Sequence, residues 1–287
     1  MDRLQSLLSR FSLSARLFHS GPLCGRHDFP AREGVGQLHL LRAGTVEAWH
    51  GGRGPQRVAE PSVLFYPRPL PHRFVTEPSR GADLACAEVA FATGLHPLVQ
   101  ALPAITVLPL QQLEGGATVL DVLFDEAFGQ RCGRQHVVDR LFEVVLVLIL
   151  RALIAGGRVE PGVLAGLGHP GLARTLVAIH EAPGQSWSLP EMAATAAMSR
   201  SRFAATFLAV VGSTPGEYLA RYRMAVAQDL LRRGRPLALV AEAVGYSGAA
   251  AFSRAFAVVC GCAPGAWRQQ AQLGPAAPAA QSACSTA

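Results

Sequence analysis

Lysine is absent from this chain of 287 residues: all 26 basic side chains are arginine, a bias read as compositional rather than mechanistic. Charge of either sign is sparse at 16%, and half of the residues are hydrophobic. That is the composition of a globular, rather apolar protein, long enough for two domains with separate cores. Long hydrophobic runs are lacking too. The longest, VVLVLIL from Val144 to Leu150, is closed off by Glu143 and Arg151, far short of the ~20 residues of a membrane span. It reads as a buried or dimer-forming helix, and no membrane association is expected. No unbroken apolar stretch follows Arg3 and Arg10, so a secretory signal is not expected and a cytoplasmic location is. The cysteines are few and scattered: Cys24, Cys86, Cys132, Cys260, Cys262 and Cys284. In a reducing cytosol they should not form structural disulfides.

What charge there is lies unevenly. Residues 1–170 hold 16 arginines against 15 acids, whereas residues 171–272 hold ten against five. An excess of that kind on one section points to a polyanionic partner. The sections also differ in periodicity. From Arg16 to about Leu108 short strand patterns (GQLHLLR, TVEAWH, SVLFYP, DLACAEVAF) alternate with Gly and Pro turns, as in an antiparallel barrel or jelly roll. TVLDVLFDEAF and QHVVDRLFEVVLVLILRALIAG then show helical spacing, with Leu141, Val144, Val145 and Leu148 along one face. A Gly/Pro-rich connector (GGRVEPGVLAGLGHPG) leads to seven short helical patterns, in one of which Ser188, Pro190 and Glu191 form a capping-box start. The expected organisation is a barrel over 1–115, a helical linker and dimerisation section over 116–170, an all-helical domain over 171–272 and a disordered tail over 273–287.

The helical domain repeats itself. AMSRSRFAATFLAVVGSTPGEY, from Ala197, and GYSGAAAFSRAFAVVCGCAPGAW, from Gly245, are copies. Ser199 pairs with Ser247 at an offset of 48, whereas Phe207 with Phe256, Gly212 with Gly261, Pro215 with Pro264 and Tyr218 with Trp267 pair at 49. A single inserted residue in an otherwise constant register marks a duplicated structural unit. Each copy reads as helix, short turn, helix, with Ser199 and Ser247 as N-caps and a Phe pair at i, i+4 (Phe203 and Phe207; Phe252 and Phe256) anchoring the second helix.

RMAVAQDLL, LALVAEAVGY, AFSRAF and GCAP, in that order and spacing between Arg223 and Pro264, resemble the signature of the AraC/XylS family of transcription regulators. The resemblance extends over about a hundred residues. It implies two helix-turn-helix units whose second helices enter successive major grooves ~34 Å apart, and it implies promoter DNA as partner, with RNA polymerase as a further partner for an activator. On the first recognition helix the residues expected to face DNA are Ser199, Arg200, Ser201, Arg202, Ala204 and Ala205. On the second they are Ser247, Ala249, Ala250, Ser253 and Arg254. Arg254 is the candidate for guanine readout, the alternative being an intradomain salt bridge, and Arg200 and Arg202 are candidates for phosphate contacts.

The strand-rich section resembles the cupin-type sensor domain that precedes this DNA-binding domain in one branch of the family. EPSVLFYPRPLPHRF looks like the second cupin motif with His72 at its ligand position, and QLHLLRAGTVEAW like a first motif reduced to His39. The contexts of Cys24 (PLCGRHDF) and Cys86 (LACAEV) are similar to those of the two cysteines in the redox-responsive, reactive-chlorine-sensing members of that branch. The resemblance implies either a thiol switch between Cys24 and Cys86 or a Cys2His2 metal site with His39 and His72. The alternative is that all four are structural. The whole chain is thus expected to be a homodimeric, non-enzymatic regulator, probing an oxidant, a metal or a small ligand with its barrel. A cupin-type metal-dependent enzyme with a DNA-binding appendage is the rival reading.

Overall fold

The computed structural model describes residues 2–50, 52, 54–91, 96–156 and 160–273; the expected disordered tail, with Cys284, lies almost wholly outside them. A short helix α1 (Gln5–Arg10) precedes eight strands: β1 (Leu13–Leu23), β2 (Arg26–Phe29), β3 (Val35–Ala43), β4 (Val46–His50), β5 (Gln56–Val58), β6 (Ser62–Tyr66), β7 (His72–Val75) and β8 (Ala82–Phe91). Helix α2 (Pro97–Ala101) and strand β9 (Thr106–Pro109) complete the first unit. The strands form two antiparallel sheets, ordered β1-β8-β3-β6-β9 and β2-β7-β4-β5. The expected jelly-roll-like barrel is there.

Burial along the strands explains their composition. In β4 the pattern alternates, with Val46, Ala48 and His50 buried and Glu47 and Trp49 exposed, as for a sheet with one wet face. In β6 all five residues are buried. Leu64 and Tyr66 join Leu41, Phe74, Leu84 and Cys86 between the sheets, whereas Val63 and Phe65 join Leu38, Leu40, Ala85 and Ala87 against the helices. The five-stranded sheet is therefore covered on both faces, which is why SVLFY is apolar without alternation.

Two helices cover it: α3 (Ala117–Phe128) and α4 (Arg134–Gly156). The buried face of α4 includes Val138, Phe142, Val145, Ile149 and Leu153, so the expected stripe is rotated: Val145 and Leu148 are buried, but Val144 is 43% exposed. The connector is also more ordered than its glycines suggested. It contains α5 (Val163–Gly168), whose Val163, Leu164 and Leu167 are buried.

Seven helices follow as expected: α6 (Pro170–Glu181), α7 (Leu189–Thr195), α8 (Arg200–Val211), α9 (Pro215–Arg232), α10 (Leu237–Ala243), α11 (Ala249–Cys260) and α12 (Pro264–Leu273). The Ser188–Glu191 capping box is present. The duplication is visible in the packing. Phe203 and Phe207 lie 5.5 Å apart and Phe207 meets the edge of Tyr218 at 5.6 Å. In the second copy Phe252 and Phe256 lie 5.5 Å apart and Phe256 meets Trp267 at 6.2 Å. Both recognition helices end on a left-handed glycine, Gly212 (φ 77°) and Gly261 (φ 76°), where a side chain would be strained.

Candidate functional site

The turn of each copy sets where its second helix begins, and the two differ. Ser199 caps α8, its hydroxyl accepting from the Arg202 N–H at 3.4 Å. Ser247 does not cap α11. The N-cap position belongs to Gly248, with no side-chain cap bond. Gly248 is the inserted residue that moves the register from 48 to 49: it comes between Ser247 and Ala249, which occupies the place of Arg200. The first recognition helix thus has a serine cap, whereas the second opens on bare backbone N–H groups.

None of the residues expected to face DNA is fully buried. Arg200, Ser201, Arg202 and Ala205 are exposed and Ala204 half-buried. On α11, Ala250 and Arg254 are exposed and Ala249 and Ser253 half-buried. The Ser253 hydroxyl donates to the Ala249 carbonyl at 2.7 Å, leaving its oxygen only as an acceptor. Among the described residues no salt bridge involves Arg200, Arg202 or Arg254, so an intradomain ion pair does not hold Arg254. Other arginines of the domain are committed to its structure: Arg233 pairs with Asp229 at 2.9 Å, and Arg223 donates to the Pro183 and Gln185 carbonyls at 2.8 Å. Arg200, Arg202 and Arg254 have no such commitment among the described residues.

In the barrel, His39 and His72 come together between the sheets, Nε2 to Nε2 at 2.9 Å. His72 Nδ1 lies 2.9 Å from the Leu70 carbonyl and must donate to it. Its Nε2 is then the acceptor and the His39 Nε2–H the donor, which leaves His39 Nδ1 as a buried acceptor without a partner. Tyr66 and Phe29 stack on the two faces of His72, at 3.8 and 5.0 Å between ring centroids. Burial lowers both imidazoles, His72 to about 4 and His39 well below its ordinary value, so the pair is neutral near pH 7. Cys86 sits opposite His39 in the β3–β8 register and is fully buried, which pushes its thiol pKa up.

Cys24 does not join this group. It is exposed and its Sγ lies against Gly81, where an added Cβ would be 2.6 Å away. Gly81 precedes Cys86 by five residues of extended chain, roughly 16 Å at ~3.3 Å per residue. A disulfide needs Cα atoms within about 7 Å, and this fold does not supply that approach. Nor does it assemble Cys24, Cys86, His39 and His72 into a tetrahedral set. Among the described residues no group of three His, Cys, Asp or Glu side chains is placed to hold a metal, and the two paired imidazoles alone do not make a cupin metal centre.

A feature the sequence did not disclose lies at the barrel's edge. The β1–β8 register slips between Leu17 and His19, making Phe18 a bulge residue. Its ring is 45% exposed and lies 6.3 Å from Phe29 and 6.2 Å from His39. Helix α4 satisfies the free edge at this bulge: Leu17 N–H donates to Asp139 Oδ1 at 2.8 Å, and Gln135 Nε2 donates to the Leu17 carbonyl at 3.1 Å. A path therefore runs from the histidine pair through a ring contact to Phe18 and, by the hydrogen bonds of Leu17, into α4.

The chain matches the cupin family over residues 2–155 and the helix-turn-helix domain family over residues 192–270. A putative AraC-like transcription regulator of Streptomyces lividans is 31% identical over 93% of this chain and 97% of that protein. One from Streptomyces antibioticus is 34% identical over 68% of this chain and 67% of that protein. The RCS-specific HTH-type transcriptional activator RclR of Escherichia coli is 26% identical over 86% of this chain and 91% of that protein. The chain belongs to the AraC-like transcription regulators. A cupin domain thus precedes the helix-turn-helix domain in this regulator. All three relatives are named as transcription regulators. Among the described residues of the regulator, no single helix is long and apolar enough to cross a membrane.

Proposed function

We propose that this AraC-like regulator binds promoter DNA as a homodimer through residues 171–272 and reads a small organic ligand at the mouth of its barrel. The observation that carries DNA contact is the pair of outward recognition faces with Arg200, Arg202 and Arg254 free of salt bridges. Three such arginines in each of two subunits, if all reach phosphates or bases, give a slope of log K against log salt of about −5. Arg200→Ala should reduce that slope by about one per subunit, and fluorescence anisotropy of a labelled promoter fragment between 50 and 300 mM salt (concentrations on the order used to resolve such slopes) measures both. A salt-independent affinity would remove the arginines from the phosphates.

The barrel reading rests on a cleft at the mouth, lined by Phe29, Trp49, His50, His72 and Arg73, with Trp49 41% exposed. An aromatic-lined mouth with the neutral His72 imidazole, and with the Arg73 guanidinium already paired with Asp28 at 2.5 Å, suits a small organic molecule better than a metal ion. The dimer reading rests on α4, where Val137 and Val144 are exposed and Leu141 half-buried, at i, i+4 and i+7. Since α4 also holds the β1 bulge through Asp139, ligand-driven movement of Phe18 has a route to the subunit interface. Asp139→Ala leaves the Leu17 N–H without its acceptor. It should cut the regulatory response of a reporter about tenfold while promoter affinity in vitro stays within about twofold, as for a lost part-buried hydrogen bond remote from DNA. Equal loss of affinity and response would place Asp139 in general stability instead. Activation through RNA polymerase, in the cytoplasm, completes the proposal.

A second reading is favoured by the exposure of Cys24. Oxidation there, followed by capture of a low-molecular-weight thiol rather than of buried Cys86, would make the regulator an oxidant sensor. After about one equivalent of hypochlorous acid and excess glutathione, intact mass spectrometry should show a glutathione adduct that Cys24→Ser abolishes and that both Cys86→Ser and Cys132→Ser, the latter at the other exposed cysteine, retain. Loss of two hydrogens dependent on both cysteines would instead mean that the barrel opens to join them.

A further inference from the structure

Val258 is the most exposed large apolar side chain among the described residues, at 86%, and Leu208 is 50% exposed. Both lie on recognition helices, Leu208 on α8 and Val258 on α11, and counting by i, i+4 places them on rows that face outward. On α8 two neighbouring rows are Arg200, Ala204, Leu208 and Ser201, Ala205, Ala209. On α11, at the duplication offset of 49, they are Ala249, Ser253, Ala257 and Ala250, Arg254, Val258. No residue of these rows is buried. Phe203, Phe207, Phe252 and Phe256, on the other side of each helix, are fully buried.

Few of these side chains can hydrogen-bond to a base. Eight of the twelve carry carbon only, and Ser253 has committed its hydrogen to the Ala249 carbonyl. Arg200 and Ser201 belong to the first turn of α8, so past that turn its two rows have no polar side chain. In the major groove the base-edge group that a carbon side chain can recognise is the thymine C5-methyl. Valine or leucine laid against the polar edge of a guanine or adenine strips water from it and returns no hydrogen bond. Against a methyl group the same side chain releases water from both partners, which raises affinity about fourfold for each methyl buried. The alanines add reach, because short side chains let the helix approach the base edges closely.

We propose, resting on the DNA contact proposed above, that Leu208 and Val258 select the operator by its thymine methyl groups. Each half-site then carries thymine opposite α8 beyond its first turn, and thymine opposite Val258, one turn past the base pair that Arg254 reads. The two helices differ in what they ask of the duplex. Helix α11 combines one guanidinium with methyl contacts, whereas α8 takes phosphates at its start and discriminates among bases by methyl contacts alone.

The probe is a duplex selected from a random library by the full-length protein and resynthesised with deoxyuridine in place of thymidine. That exchange removes the C5-methyl groups and keeps every base pair. Fluorescence anisotropy should show the deoxyuridine duplex bound about tenfold or more weakly, the product of two or more fourfold contacts. Val258→Ser should weaken the thymidine duplex about fourfold and the deoxyuridine duplex hardly at all, the coupling expected of groups in contact. Leu208→Ser should do the same. Because both side chains are exposed, each variant should keep a Tm near that of the parent. Equal affinity of the parent for the two duplexes would overturn the proposal and leave DNA binding in place. So would a Val258→Ser loss of the same size on both duplexes, which would put Val258 against a protein partner instead of a base. A selection that enriches no duplex would remove the DNA contact itself and the proposal with it.

Discussion

Arg254→Ala is expected to lower affinity for a specific promoter site by about 5- to 150-fold per subunit contact, the ~1–3 kcal/mol of a bidentate arginine–guanine pair, and to leave affinity for unrelated DNA much less changed. Helix α11 offers few ways to read a base. Ala250 is exposed and Ala249 half-buried, and both present only methyl groups. The Ser253 hydrogen is committed to the Ala249 carbonyl. Arg254 is exposed, one turn into the helix, and has no ion pair, so it provides the hydrogen-bonding reach of that face. In a dimer both subunits lose the contact together. Arg200 and Arg202, at the start of α8, should behave differently: their replacement should weaken all DNA by a similar factor. Anisotropy with the natural promoter, single-base variants of it and an unrelated duplex separates the cases. An Arg254→Ala loss that is equal on all three duplexes would reduce Arg254 to a phosphate contact.

That contrast was partly legible in the sequence, because duplication made the recognition helices comparable residue by residue. The offset change from 48 to 49 was visible; its meaning was not. Serine at both turns suggested two identical caps, whereas the inserted residue, Gly248, took the cap position of α11 and left Ser247 outside. Local chemistry suffices where an element is decided by neighbours along the chain, as at Ser188 and Glu191. It fails where tertiary packing overrides it. VLAGLG contains two glycines and reads as connector, yet Val163, Leu164 and Leu167 are buried among other helices, and that burial stabilises α5. The apolar side of α4 was misjudged by part of a turn because every position from Val144 to Leu150 is apolar, so periodicity alone could not say which faced the sheet. The sensor residues fared worst. His39 and His72 lie on β3 and β7, in opposite sheets, and their meeting follows from the way the sheets face each other. The separation of Cys24 from Cys86 depends on the β1–β8 register, and the Leu17–Asp139 bond joins residues 122 positions apart. No sequence periodicity encodes those distances.

Acidification is expected to unfold the regulator well above the pH at which its carboxylates protonate. Four histidines are held neutral by burial: His39 well below its ordinary value, His72 and His96 at about 4 and His180 at about 3. Burial is the largest cause for each. The neighbouring His72 adds to it at His39, and Arg10 at His180, whereas the Leu70 and Phe11 backbone groups partly offset it at His72 and His96. An unfolded chain binds protons at these sites below about pH 6.5, while the folded chain does not until about pH 4 or lower. Stability is therefore fully present above pH 6.5 and falls as pH drops below it, by about 1.4 kcal/mol per unit for each histidine. Four together remove about 5 kcal/mol per unit, which against a typical ~5–15 kcal/mol of total stability predicts loss of the fold near pH 5. Far-UV circular dichroism from pH 7.5 to 3.5 should show a steep transition there. His96 offers the clean control, because its Nδ1 accepts from the Leu98 N–H at 3.3 Å as the N-cap of α2. Asparagine can keep that bond without titrating. His96→Asn should leave the fold intact at pH 7.5 and move the midpoint to lower pH. An unchanged midpoint would mean that groups other than the buried imidazoles drive the transition.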